Sequence, residues 1–184
     1  VERRSTTDGL PVLSITAGKG FVDQREKFSR VIAGDSLKRY IQLNRGEFAY
    51  NKGNSDRFPF GCIYRLREVD SGLVPFVYFC FSARDQRVNG EFFEHYLQAG
   101  VLDRQLNKAI NSGVRNDGLM NLSRDDFFAV KIHLPPQNLQ SSYGALLSKL
   151  SEDFALLSNY RQALIQQKRG LMQQLLTGKM RVRV

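Results

Sequence analysis

The chain has 184 residues, 42% hydrophobic and 11% aromatic, enough for one domain with its own core, or one domain plus an appendage. No run of about 18 apolar residues occurs, which excludes a membrane-spanning helix, and two cysteines, Cys62 and Cys80, are too few for a disulfide framework or a zinc site. The formal charge of +9 suits a polyanionic partner, because each phosphate that a cation neutralises releases condensed counterions.

The opening residues, VERRSTTDGL, lack the apolar stretch of a signal peptide, so the expected location is cytoplasmic, with both thiols reduced. They also lack an initiator Met, which suits a piece of a longer chain. LPVLSIT (10–16) alternates and carries β-branched residues, the pattern of a strand. GEFAYN (46–51) and GCIYRLRE (61–68) read as two more strands joined by the polar loop NKGNSDRFPF. LVPFVYFCFSA (73–83) is nearly all apolar and reads either as a strand buried on both faces or as the start of a helix. GEFFEHYLQAGVLDRQLNKAI (90–110) has helical spacing, weakened at Gly100. After the Gly/Asn loop NSGVRNDGLMN, the stretch DFFAVKIHL (126–134) alternates again and is expected to be a strand that stops at Pro135-Pro136. Residues 1–137 are therefore expected to form a strand-rich α+β domain.

Past the prolines the composition changes. Ser141 or Ser142 can cap a helix start, and the helix is expected over 141–177, followed by a glycine stop and a basic tail, 178–184. Tyr143, Leu150, Leu157, Leu164 and Leu171 recur every seven residues. Leu147, Phe154, Arg161, Lys168 and Leu175 fill the second seam position, giving a coiled-coil heptad with two cationic places. Such a helix is about 48 Å long from 143 to 175. A compact domain of this size has a radius of gyration of only about 14 Å, so the seam is expected to be buried elsewhere than on its own domain. Arg161 and Lys168 fit an antiparallel partner that offers acceptors better than a dry parallel dimer.

Catalytic patterns are sparse. TGKM (177–180) has Met where a phosphate-binding loop needs a hydroxyl, and ITAGKGF lacks the third glycine of a dinucleotide site. His95 and His133 stand apart without a metal-ligand context, and Asp125 and Asp126 fit a turn better than a nuclease carboxylate set. HLPPQ lacks the flanking residues of an amino-methylating enzyme's Asn/Asp-Pro-Pro-Tyr/Phe. The reading that follows is a binding module with no catalytic residues and no metal of its own.

The tail QQKRGLMQQLLTGKMRV, preceded by LPP and a heptad helix, resembles the specificity subunit of type I restriction-modification enzymes, a bacterial defence system. The likeness is close at Lys168, Gly170-Leu171-Met172 and Leu175-Leu176-Thr177-Gly178-Lys179. NRGEFAYNKG (44–53) is similar to the family's Gly-acidic-aromatic-x-Tyr-Asn strand end, and SGVRNDGLMNLSRDDFFAVKIHLPP (112–136) to its Gly/Arg loop, last strand and exit. The chain departs from the family after LPP, where members carry a short stretch ending Glu-Gln and this one reads LPPQNLQSSYG.

The resemblance implies a target recognition domain over 1–137 that reads one half of a bipartite site in double-stranded DNA. It implies a spacer helix that pairs antiparallel with a second one through Tyr143, Leu147, Leu150, Phe154, Leu157, Leu164, Leu171 and Leu175. The second recognition half would lie in the same chain or in a homodimer. It further implies docking to methyltransferase (modification) subunits and, through them, to the restriction subunit. S-adenosylmethionine, ATP and Mg are then expected in those partners, and no cofactor in this chain. For DNA contacts the two loops rich in Asn, Gly and cations give Lys52, Asn54, Arg57, Arg115 and Asn116, because Asn pairs bidentately with adenine and Arg with guanine. Lys19, Arg25 and Lys27 are candidates for gripping phosphates. Two other classes stay open from residues alone: a nuclease or methyltransferase domain with a coiled-coil tail, and a coiled-coil adaptor with an incidentally basic surface.

Overall fold

The protein, as a computed structural model, is described at residues 1–3, 9–25, 37, 39–53, 55–110 and 119–180. Among the described residues the strands are β1 (Leu13–Thr16), β2 (Gly20–Asp23), β3 (Ile41–Asn44), β4 (Phe48–Asn51), β5 (Cys62–Arg65), β6 (Ser71–Val74) and β7 (Phe79–Phe81). C-terminal to β7 lie the helices α1 (Gly90–Gln98), α2 (Asp103–Ala109), α3 (Arg124–Phe128) and α4 (Gln137–Leu176). The architecture is α+β, with small antiparallel sheets and a long C-terminal helix. The chain divides into two units, Val1–Gly144 and Ala145–Val184.

In the first unit β5, β4 and β7 make a three-stranded antiparallel sheet with β4 in the middle. Because side chains alternate along a strand, this sheet feeds two cores. Phe48, Tyr50, Ile63 and Phe79 point to one, where Phe93, Leu97, Leu102, Leu106 and Phe127 of the helices cover them. Ala49, Cys62 and Cys80 point to the other, against Leu13, Ile15, Ile41, Leu43 and Val74 of the two-stranded sheets β1–β2 and β3–β6. Cores on both faces are why β7, Phe79-Cys80-Phe81, is all apolar. The helix-side core is aromatic: Tyr50 stacks on Phe127 at 4.5 Å between centroids, and Phe48 on Phe81 at 5.3 Å.

Four expectations change. The apolar run 73–83 is neither one strand nor a helix: Pro75 ends β6, and Tyr78 N–H closes a turn on the Pro75 carbonyl at 3.0 Å before β7 begins. Residues 90–110 are two helices, because Gly100 takes φ 74°, a conformation that ends α1. DFFAVKIHL is not a strand. Ser123 caps α3, accepting the Asp126 N–H at 3.0 Å while donating to its carboxylate at 2.6 Å. The residues beyond α3 stay irregular, with the Gln105 amide bonded to both backbone groups of Lys131 in place of a ladder. Finally, α4 starts at Gln137, not at the serines. Pro136 supplies the first carbonyl, accepting from Leu139 and Gln140, while Ser141 and Ser142 bond back to the Gln137 and Asn138 carbonyls inside the helix.

The first two turns of α4 belong to the first unit. Gln140, 2% exposed, accepts the Asn89 N–H at 2.9 Å and donates to the Arg87 and Pro135 carbonyls at 3.1 and 2.8 Å. Gly144 is buried so closely that a Cβ there would lie 2.8 Å from Phe92 N. Beyond it, Leu150, Phe154, Leu157 and Leu164 are all exposed, Phe154 to 74%. The 40-residue helix is about 60 Å long and ends just before Gly178, whose N–H returns to the Leu175 carbonyl.

Candidate nucleic-acid interface

The β1–β2 hairpin turns through Ala17-Gly18-Lys19, with Thr16 paired to Gly20. The sequence weighed ITAGKGF as a cofactor loop; it is this hairpin. Its tip is tied down by Tyr64 of β5, whose hydroxyl accepts the Gly18 N–H at 2.8 Å. Lys19 stands exposed at the tip.

The loop after β4 is closed at its base. Asn51 accepts the Gly53 N–H at 3.1 Å, and Ser55 and Phe58 exchange backbone hydrogen bonds at 3.1 and 3.0 Å. Gly61, with φ 76°, returns so near β4 that a Cβ would meet the Asn51 carbonyl at 2.4 Å, so only glycine closes the loop there. This leaves Arg57 exposed on the Ser55–Phe58 turn, its guanidinium 5.5 Å from the Phe58 ring centroid.

The structure joins the roots of the two candidate loops. Gly53 pairs with Leu119 in an antiparallel bridge, and Met120 N–H donates to the Lys52 carbonyl at 3.0 Å. Lys52 is half-buried, its ammonium 3.5 Å from the Leu122 carbonyl and 5.0 Å from the Phe79 centroid. It helps to fasten the loops together. Arg124, which sequence reasoning passed over, lies 6.0 Å from the same ring and 5.3 Å from Phe128. Asn54, Arg115, Asn116 and Lys27 lie outside the described residues.

Arg57 reaches the hairpin tip that carries Lys19: a Cβ on Gly18 would lie 3.6 Å from an Arg57 guanidinium nitrogen. Arg25 does not join them. It follows Asp23, which pairs with Leu13 at the other end of the hairpin, and its N–H is held by the Asp23 carboxylate at 2.7 Å. Tyr64, the residue that ties the tip to the loop, was missed. Its only signal in the sequence was an aromatic in a strand that can lie over Gly20, 3.6 Å from where a Cβ would be.

Several other cations are paired with carboxylates. Arg67 pairs with the buried Glu94 at 2.6 Å and Arg87 with Asp85 at 2.6 Å, the latter holding the Asp85 carboxyl down at about 2. Arg3 pairs with Glu47, and Arg45 with Asp70. Among the described residues Lys19 and Arg57 form no ion pair, so their charge is available to an incoming anion. Burial pushes the Cys62 thiol up to about 11 and Cys80 to about 12, so neither is a nucleophile at neutral pH. Among the described residues no three His, Cys, Asp or Glu side chains are grouped to hold a metal ion, and no helix is long and apolar enough to cross a membrane.

No protein-family model matches the sequence, and no curated protein matches it.

Proposed function

We propose that this chain is a non-catalytic DNA-specificity module of a type I restriction-modification enzyme, reading one half of a bipartite site. The observation that carries the reading is the apolar stripe of α4. Tyr143, Leu147, Leu150, Phe154, Leu157, Leu164, Leu171 and Leu175 are each exposed, yet they repeat on a heptad and lead into the GLMQQLLTGKM tail. An apolar stripe of that length stays in water only at a cost, and a second helix running antiparallel is the partner that covers it, with acceptors for Arg161 and Lys168. Residues 1–137 read the bases, 141–177 set the spacing, and 178–184 form a basic tail.

Pairing serves recognition directly. One half-site discriminates weakly, at about 1–3 kcal/mol per base pair. Two readers on a stiff spacer gain effective concentration, but only at one separation. In this proposal the joined loops at 51–57 and 111–117 supply base contacts, and the hairpin tip supplies phosphate contacts. Methyltransferase subunits with S-adenosylmethionine dock on the paired helices, and the restriction subunit with ATP and Mg joins them in the cytoplasm.

The test is to co-express the chain with methyltransferase subunits and map methylated bases across the host DNA. A split motif with a fixed gap is expected, and inserting one heptad after Leu157 should lengthen that gap. Methylation at an unsplit motif, or none that depends on the chain, would refute the proposal. Methylation indifferent to substitutions in both loops would move the reading surface elsewhere.

A further inference from the structure

Two turns that are remote in sequence meet at one spot. Lys19 follows directly on Gly18, and the Arg57 guanidinium lies against that same glycine, laid across the turn by its contact with Phe58. The third group there is Tyr64. Its oxygen accepts the Gly18 N–H through a lone pair, so its own proton remains to be donated. Among the described residues that proton meets no acceptor. Asp56, beside Arg57 in the chain, forms no ion pair with either cation among the described residues.

We propose that Lys19, Arg57 and the Tyr64 hydroxyl form one oxyanion site whose ligand is a phosphate. The Arg57 fork and the Tyr64 hydroxyl both lie against Gly18, and the exposed Lys19 next in the chain adds an ammonium within side-chain reach of the same turn. A phosphate offers three acceptor oxygens to match them, where a carboxylate offers two. Tyr64 has a double role. It holds the backbone of the hairpin tip that carries Lys19 against the Arg57 side, and it contributes its own hydrogen bond. Burial raises the Tyr64 hydroxyl above its ordinary value, more than the Gly18 bond and Arg57 lower it, so it stays protonated and able to donate at neutral pH. That the phosphate is a DNA backbone group rests on the function proposed above; the site itself does not.

The test follows backbone amide signals of the full chain by NMR while adding inorganic phosphate or, separately, a short random-sequence DNA duplex. The Gly18 and Lys19 amides should move with both. K19Q and R57Q should each weaken phosphate binding roughly three- to tenfold. Each should also lower the slope of log affinity for duplex against log salt by about 0.9. Y64F, which keeps the ring, should weaken phosphate binding with little change in the urea midpoint. Movement with phosphate but not with duplex would sustain the oxyanion site and count against DNA as its ligand. Still amides in both titrations, or salt slopes and phosphate affinities of K19Q and R57Q equal to those of the unaltered chain, would overturn the site, even if methylation mapping returned a split motif.

Discussion

Phe48 and Phe154 are the same side chain in two different circumstances. Phe48 is 1% exposed and packed between the rings of Phe81 and Phe93; Phe154 is 74% exposed on a helix whose other seam residues are exposed too. The first unit satisfies its apolar residues internally, from both faces of one small sheet. The second has a single helix, which has no inside, so its apolar stripe can be satisfied only by another surface. The contrast separates the apolar surface that the first unit uses in order to fold from the apolar surface that α4 leaves exposed.

The sharpest way to break the contrast is to truncate both rings. Phe48→Ala should cost about 3–5 kcal/mol of unfolding free energy in urea, whereas Phe154→Ala should stay within about 0.5 kcal/mol in the isolated chain. If the proposed pairing of α4 holds, sedimentation with the proposed methyltransferase subunits should show Phe154→Ala lowering association. Next in size is Gln140→Ala. It strands the Asn89 N–H and two carbonyls in a buried place, for a loss of about 1–3 kcal/mol. The two glycines of α4 sharpen the comparison further. Gly144→Ala must displace Phe92 and should destabilise by about 1 kcal/mol or more. At Gly170 nothing lies within 4 Å, so Gly170→Ala should add helix stability of up to about 1 kcal/mol by circular dichroism. If that alanine also weakened association, the glycine would be serving a close helix contact.

The smallest effect at ordinary pH is an alkaline one confined to the first unit. Burial raises Cys62 from 9.0 to about 11 and Cys80 to about 12, so above pH 9 the folded chain keeps protons that the unfolded chain releases. Their contribution to stability is complete below pH 9 and is lost as pH rises through 11 and 12. The urea midpoint should fall between pH 8 and pH 10.5, and Cys62→Ala should flatten that fall.

Much of this was legible where one physical rule acts alone. The heptad of α4 and the stop at Gly178 could be read because a lone helix leaves its periodicity uncompromised. So could β4 and β5, which alternate between two faces. Legibility failed where rules compete. DFFAVKIHL alternates like a strand, yet SRDD at its start carries a capping pair that starts a helix, and Phe127 then packs in the aromatic core while Phe128 stays exposed. β2 and β3 lack the clear alternation of buried and exposed places over a longer apolar stretch, and the sequence did not mark them. For the candidate interface, the sequence suggested Lys19 and Arg57 separately. That Arg57 lies against the tip that carries Lys19 depends on Tyr64 reaching across to Gly18, a tertiary contact with no local signature.

Gly144 also decides where this protein can be cut and rejoined. The conspicuous seam in the sequence is Pro135-Pro136, and a chimera spliced there would exchange Gln140 and Gly144 for residues chosen to fit some other globule. A junction after Gly144 keeps Gln140 and Gly144 with the side chains they pack and bond against. Swaps made at that later point should express as folded hybrids, and swaps at the prolines should precipitate.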